Sequence, residues 1–144
     1  MGTCLARCGV DTSKIPGVTH CGYHKKPQGH VIRAEELANG LNRYTLVGIQ
    51  KRQLIDPNEF EKVLVGMTGI IFFKDYWQTE INGKKEEFRN RSGDHIDLWN
   101  GSRLTDWTSW VRIHIRIGHF GLHSFVNGLS DLRQSKSIWF WRIL

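Results

Sequence analysis

Asn100-Gly101 stands between two runs that read as strands, and an Asn-Gly dipeptide in that setting is the strongest short-range signal for a β-hairpin. Both central residues of a type I′ turn need positive φ, which Asn and Gly tolerate better than other residues do. With these two as the turn, Trp99 is expected opposite Ser102, Asp97 opposite Leu104 and His95 opposite Asp106. Directly opposed side chains have Cβ atoms about 4.5–5.5 Å apart, close enough for a carboxylate to reach an imidazole. Asp97 shares the face of His95 at period 2 and is a rival partner, although neighbours along one strand diverge more than cross-strand pairs. A chain built around this turn needs an antiparallel sheet.

Other strand candidates follow Gly66. Residues 69–73 form a short apolar run, residues 94–99 lead into the turn, and residues 111–117 alternate Val/Arg/Ile/His/Ile/Arg/Ile at period 2. Residues 137–143 make a strand rich in aromatic side chains, whereas residues 74–91 are polar and read as a long connection. Helices are expected earlier. Residues 3–9 suggest a short one with Thr3 as N-cap and Gly9 as stop, which places Cys4 in its first turn. Residues 10–30 are rich in Gly, Pro, Ser, Thr and His and read as loop. Residues 31–41 carry Ile32, Ala34, Leu37, Ala38 and Leu41 at helical spacing. At residues 56–64 an acidic cap, Pro57 at the first helical position and Glu59 three residues after the cap predict the clearest helix in the chain. Helices followed by an antiparallel sheet make an α+β fold, and a length of 144 residues fits a single domain spanning residues 1–144.

Bulk properties narrow the function classes. No stretch approaches the roughly 20 apolar residues of a membrane span, so no membrane role is expected. The first ten residues lack the charged start and apolar core of a secretory signal, so any action outside the cell is expected to depend on another export machine. A formal net charge of +6 favours polyanionic partners, among them nucleic acid, anionic lipid and bacterial wall. The basic residues are scattered, no nucleic-acid motif is present, and no nucleic-acid partner is expected. Three cysteines, Cys4, Cys8 and Cys21, leave at least one free thiol.

A thiol at a helix start lies near unpaired backbone N–H groups and the positive end of the helix dipole, both of which favour the thiolate. A histidine beside it completes activation, and a carboxylate orients that histidine and fixes its tautomer. Cys4, His95 and Asp106 are candidates for such a set, with Asp97 the rival orienter and a small core residue the ordinary reading of Cys4. His20, Cys21 and His24, taken with Cys4 and Cys8, raise the thought of zinc, but the spacing fits no standard module and a structural zinc would consume the nucleophile. No metal and no cofactor are expected. His114, His119 and His123 read as surface or cleft-rim residues, and the six Trp as core and cleft wall.

The run Ser92-Gly93-Asp94-His95-Ile96-Asp97-Leu98-Trp99-Asn100-Gly101-Ser102 resembles the catalytic-histidine segment of the type VI secretion amidase effector 4 family. Asp106 stands eleven residues after His95, where that family has its catalytic Asp, and Thr3-Cys4-Leu5-Ala6-Arg7 is similar to its Thr-Cys-x-x-Arg nucleophile motif. Ile15-Pro16, Ala34-Glu35-Glu36-Leu37, Gly69-Ile70-Ile71-Phe72-Phe73 and Ile138-Trp139-Phe140-Trp141-Arg142 also fit its layout. The resemblance implies a papain-like, NlpC-type cysteine peptidase fold with N-terminal helices packed on the sheet. It implies cleavage of the γ-D-glutamyl to meso-diaminopimelate bond of the peptidoglycan stem peptide, by an antibacterial effector acting in the periplasm of target bacteria. A cognate immunity protein and a secretion apparatus are the implied partners. Only Met1-Gly2-Thr3 precede Cys4, a shorter start than the family's, so the alternative is a catalytically impaired relative that binds wall peptide or an immunity protein.

Overall fold

The computed structural model describes residues 1–25, 29–75, 80–81, 84–85, 93–105 and 132–144. Within them lie helices α1 (Gly2–Arg7), α2 (Ala34–Arg43) and α3 (Phe60–Val63), and strands β1 (Gln53–Ile55), β2 (Thr68–Lys74), β3 (Glu80–Ile81), β4 (Lys84–Lys85), β5 (His95–Asn100) and β6 (Ser137–Arg142). Four strands form one antiparallel sheet in the order β1-β6-β2-β5, while β3 and β4 pair separately. The architecture is α+β, as the sequence led us to expect.

β2 lies between β6 and β5 and is covered on both faces, which is why its sequence is a continuous apolar run instead of an alternation. Ile70 and Phe72 point to one face, where Leu5 of α1 and Leu37, Ala38 and Leu41 of α2 meet them together with Trp141. Ile71 and Phe73 point to the other, into a cluster with Phe60 and Leu64 around α3, Trp99 of β5 and Phe140 of β6. The indole of Trp99 donates its Nε1–H to the carbonyl of Leu64 at 2.9 Å, so the ring fills the core without burying an unpaired donor. α2 is further held by an ion pair across its sheet contact, Glu35 with Lys74 of β2 at 2.7 Å.

Several boundaries depart from the sequence expectation, each for a local reason. α1 is capped by Met1 rather than Thr3, and no side chain accepts at its start. Its far end is a Schellman motif: Gly9 (φ 84°) donates to Ala6 and Val10 to Leu5, at 3.0 Å each. α2 begins at Ala34, three residues later than its spacing suggested, and Ile32 stays exposed. The helix expected over residues 56–64 shrinks to the four residues of α3. Asp56 is spent on a turn instead, its Oδ1 accepting the Asn58 amide at 2.8 Å while its carbonyl accepts from Glu59. β1 was not foreseen; it is three residues long, Leu54 is exposed, and pairing with β6 defines it.

The hairpin is real but its register differs. Asn100 remains extended as the last residue of β5, its N–H donating to Arg103 at 3.0 Å, and Gly101 has positive φ (91°). The two-residue loop is therefore Gly101-Ser102, with Gly at the first central position, the pattern of the II′ class. Trp99 pairs with Leu104, not with Ser102, and Thr105 donates to Leu98 at 3.0 Å. The cross-strand inference that set Asp106 opposite His95 thus loses its premise. Asp106 itself, the strand expected at 111–117 and His114, His119 and His123 lie outside the described residues.

Candidate active site

Cys4 is placed by three features of α1. Leu5 plugs into the core beneath the sheet, the Schellman motif closes the helix behind it, and Gly2 packs against Gly29 of the following loop. Gly2 and Gly29 touch so closely that a Cβ on either would overlap the backbone of the other, and Gly29 also adopts φ 74°. The Cys4 side chain emerges half-buried beside Cys8, one turn later, and both thiols are free. Burial pushes the Cys4 thiol above its ordinary range, Cys8 adds to this, and the N-terminal amine and Arg7 pull the other way. The sequence expectation of a helix-start thiolate is thus opposed by desolvation. Cys4 and Cys8 line a cavity of about 620 Å³ whose walls include Tyr44, Leu46, Ile70 and Leu98.

His95 opens β5 and half-exposes its ring. At period 2 it shares a face with Asp97 and Trp99, and its ring lies 6.4 Å from that of Phe73. Trp99 belongs to the α3 face of the sheet, whereas His95, at the first position of the strand, also borders residues of the α1 face. His95 lines a smaller cavity, of about 200 Å³, with Met1, Gly2, Val31, Asp94 and Ile96. The two sequence-derived residues therefore border α1 from different sides: His95 in the cavity at its first residues, Cys4 in the larger one farther along the sheet. The Asp97 carboxylate is 3.9 Å from His95 Nε2 through Oδ2, while its Oδ1 accepts from the Leu98 amide at 2.8 Å and the Thr105 hydroxyl at 2.7 Å. Those two hydrogen bonds fix the carboxylate beside the imidazole, which gives the rival orienter a defined place.

Asp94 was not singled out as a functional residue. Its carboxyl lines the His95 cavity, is pushed above the usual carboxylate range chiefly by burial, and accepts from the Asp75 amide at 3.1 Å. A third group of side chains lies in the loop before α2. Cys21, His24 and His30 have donor atoms within 4.8 Å of one another. His30 had no signal in the sequence, because it lies across a chain reversal from the other two.

The family description "Type VI secretion system (T6SS), amidase effector protein 4" has a model that matches residues 1–141 of the chain. No curated protein and no solved structure matches significantly. The match covers α1 with Cys4, the sheet with His95, and the position of Asp106, and the α+β architecture with helices laid on an antiparallel sheet is consistent with a papain-like fold.

Proposed function

The chain belongs to the type VI secretion system amidase effector protein 4 family, and from that premise we propose that it is a cysteine amidase acting on the peptide stems of bacterial cell wall. The observation that carries this is the family match over residues 1–141, which takes in a free cysteine in the first turn of α1 and a histidine at the start of β5. The bond proposed is γ-D-glutamyl to meso-diaminopimelate, and the place of action is the periplasm of a target bacterium reached through the secretion apparatus. A cognate immunity protein is the proposed restraint in kin cells.

In this mechanism His95 takes the proton from Cys4, and the thiolate attacks the amide carbonyl carbon to form a tetrahedral oxyanion. His95 then gives the proton to the departing amine as the C–N bond breaks, leaving a thioester. Water attacks the thioester with His95 again as base, and Cys4 leaves as thiolate. Asp106 is proposed to orient His95, with Asp97 as the rival because its carboxylate already stands 3.9 Å from Nε2. Cys4 occupies the third position of a helix capped at Met1, so its backbone N–H is one of the donors that no preceding turn accepts, and it is the proposed oxyanion donor.

A second reading has its own support. Cys4 and His95 line different cavities, and the Cys4 thiol is pushed up, not down. These features fit a catalytically impaired relative that still binds wall peptide or an immunity protein. Digestion of diaminopimelate-type peptidoglycan, with fragments identified by mass, separates the two. Release of a new stem-peptide end by the wild-type chain, abolished in Cys4→Ala and His95→Ala, is the amidase result. No cut by a folded wild-type chain that still sediments with the wall is the binding result. Asp106→Asn and Asp97→Asn then identify the orienter by which of them lowers the rate at the neutral pH where His95 must act as base.

A further inference from the structure

We propose that Cys21, His24 and His30 form a binding site for a divalent transition-metal ion of the zinc class, fastened to the helix that carries Cys4. The three residues offer one thiolate and two imidazole nitrogens, a soft and borderline donor set suited to zinc and unsuited to calcium or magnesium, which take oxygen ligands. Their donor atoms already lie within 4.8 Å of one another. Around a tetrahedral zinc with bonds of about 2.0–2.3 Å, donors stand roughly 3.3–3.8 Å apart. Cys21 Sγ and His24 Nδ1 are at 3.3 Å, and the rings of His24 and His30 are stacked at 3.8 Å between centroids. Both imidazoles are exposed, so their rings are free to rotate toward the remaining gap.

The backbone holds two of the ligands in place before any metal arrives. Residues 19–21 run antiparallel to residues 30–32: Cys21 donates to the His30 carbonyl at 2.7 Å, Ile32 donates to Thr19 at 3.2 Å, and His20 bridges Val31. Cys21 and His30 are therefore cross-strand neighbours, and the turn after Cys21 brings His24 back over them. His20 is engaged elsewhere, with its Nε2 3.2 Å from the Thr12 hydroxyl. Gly29, next to His30, is the residue packed on Gly2 of α1. An ion bound here would stiffen the loop against which α1 rests, with water or an outside ligand completing four-coordination. The site is independent of the amidase proposal, since it uses neither Cys4 nor His95.

Cobalt(II) is the probe, titrated into the full reduced chain. One equivalent should bind and give the near-ultraviolet charge-transfer absorption of a thiolate–cobalt bond. Cys21→Ser should abolish that absorption. His24→Ala, a change at an exposed side chain, should weaken binding by at least about two orders of magnitude, more than the 10–100-fold typical of losing an outer-shell partner. Cys4→Ser/Cys8→Ser should keep both band and stoichiometry. Zinc should raise the thermal midpoint of the wild type and leave that of His24→Ala unchanged. A band that survives Cys21→Ser, one that disappears with Cys4 and Cys8 instead, or no stoichiometric binding by the wild type overturns the site.

Discussion

Replacing Gly29 with alanine tests how α1 is held. Gly29 has φ 74°, a conformation that costs an L-residue roughly 1–2 kcal/mol. Its new Cβ would also overlap the Gly2 carbonyl oxygen, with the Gly2 carbonyl carbon at 2.7 Å and Ala6 Cβ at 2.8 Å. The obstruction is mainly backbone, so no side-chain rotation relieves it, and overpacking of this kind costs about 1–3 kcal/mol. The sum is about 2–5 kcal/mol, and a second route exists. α1 has only six residues and no independent stability, so it can lift away from the sheet. Lifting exposes Leu5, whose burial contributes about 1.5–3 kcal/mol. Lifting relieves the overlap but keeps the φ cost, which brings that route to about 2.5–5 kcal/mol, so the expected loss in a urea melt is about 2–5 kcal/mol by either route. The routes are distinguished by mapping alkylation at Cys4 and Cys8 by mass spectrometry. Cys8 is exposed and serves as the internal standard, whereas Cys4 is half-buried and should react more slowly in the wild type. In Gly29→Ala the Cys4 rate should rise toward that of Cys8. Gly22→Ala, where a Cβ meets nothing within 4 Å, should change stability by no more than about 0.5 kcal/mol. A Gly29→Ala chain with the wild-type midpoint and a Cys4 as slow as before would refute this account of the α1 seat.

Asp94→Asn should raise stability at neutral pH. The Asp94 carboxyl is held above its usual range by burial first, so its favourable contribution is complete below the unfolded value and is lost as pH rises through the folded one. Asparagine keeps the acceptor for the Asp75 amide and removes the charge, so urea midpoints from pH 3 to 7 should fall less steeply than in the wild type; a less stable variant at pH 7 would contradict this. Trp99→Phe removes the donor to the Leu64 carbonyl and leaves a smaller ring in a fully buried site. Because that carbonyl also accepts the Met67 amide, the hydrogen-bond part should stay near 1 kcal/mol and the total near 2–3 kcal/mol, read from the same melts. Glu35→Gln breaks the pair with Lys74, both side chains about a third exposed or more, and should cost under about 1 kcal/mol. Adding 1 M salt should erase most of that difference, and a cost unaffected by salt would point to packing instead.

How much of this was legible in the sequence depends on what each signal measures. The run Gly69-Ile70-Ile71-Phe72-Phe73 announced a strand because β2 is buried on both faces, and the aromatic end of the chain announced β6 for the same reason. The cap signature at residues 56–59 misled because Asp56 has two uses, and here its oxygen closes a turn on Asn58. Asn100-Gly101 correctly marked a hairpin, yet one positive-φ residue was enough to make it, which moved the loop by one position and the pairing by two. β1 has no hydrophobic pattern of its own and exists through its partner. Residue chemistry pointed to Cys4 and His95; the cavities they line are both walled by residues of the α1 face of the sheet, and neither spacing nor motif carries the division between them.

The loop segment from Gly29 to Arg33 is what links the start of α1 to the cavity that His95 lines. Gly29 fixes the first residue of α1, while Val31, Ile32 and Arg33 form one wall of the cavity that contains His95, with Met1 and Gly2 forming another. The start of α1 and the start of β5 thus meet at one segment, and a shift of α1 would disturb its contact with Gly29. Whatever stiffens the loop stabilises the present arrangement, and whatever loosens it frees the helix. A metal held by Cys21, His24 and His30 acts on that same contact, because His30 adjoins Gly29 and its carbonyl is bonded to Cys21. Zinc should therefore slow hydrogen exchange of the α1 amides in the wild type and have no such effect in His24→Ala. Equal protection of α1 in the two chains would separate the metal site from the seat of the nucleophile.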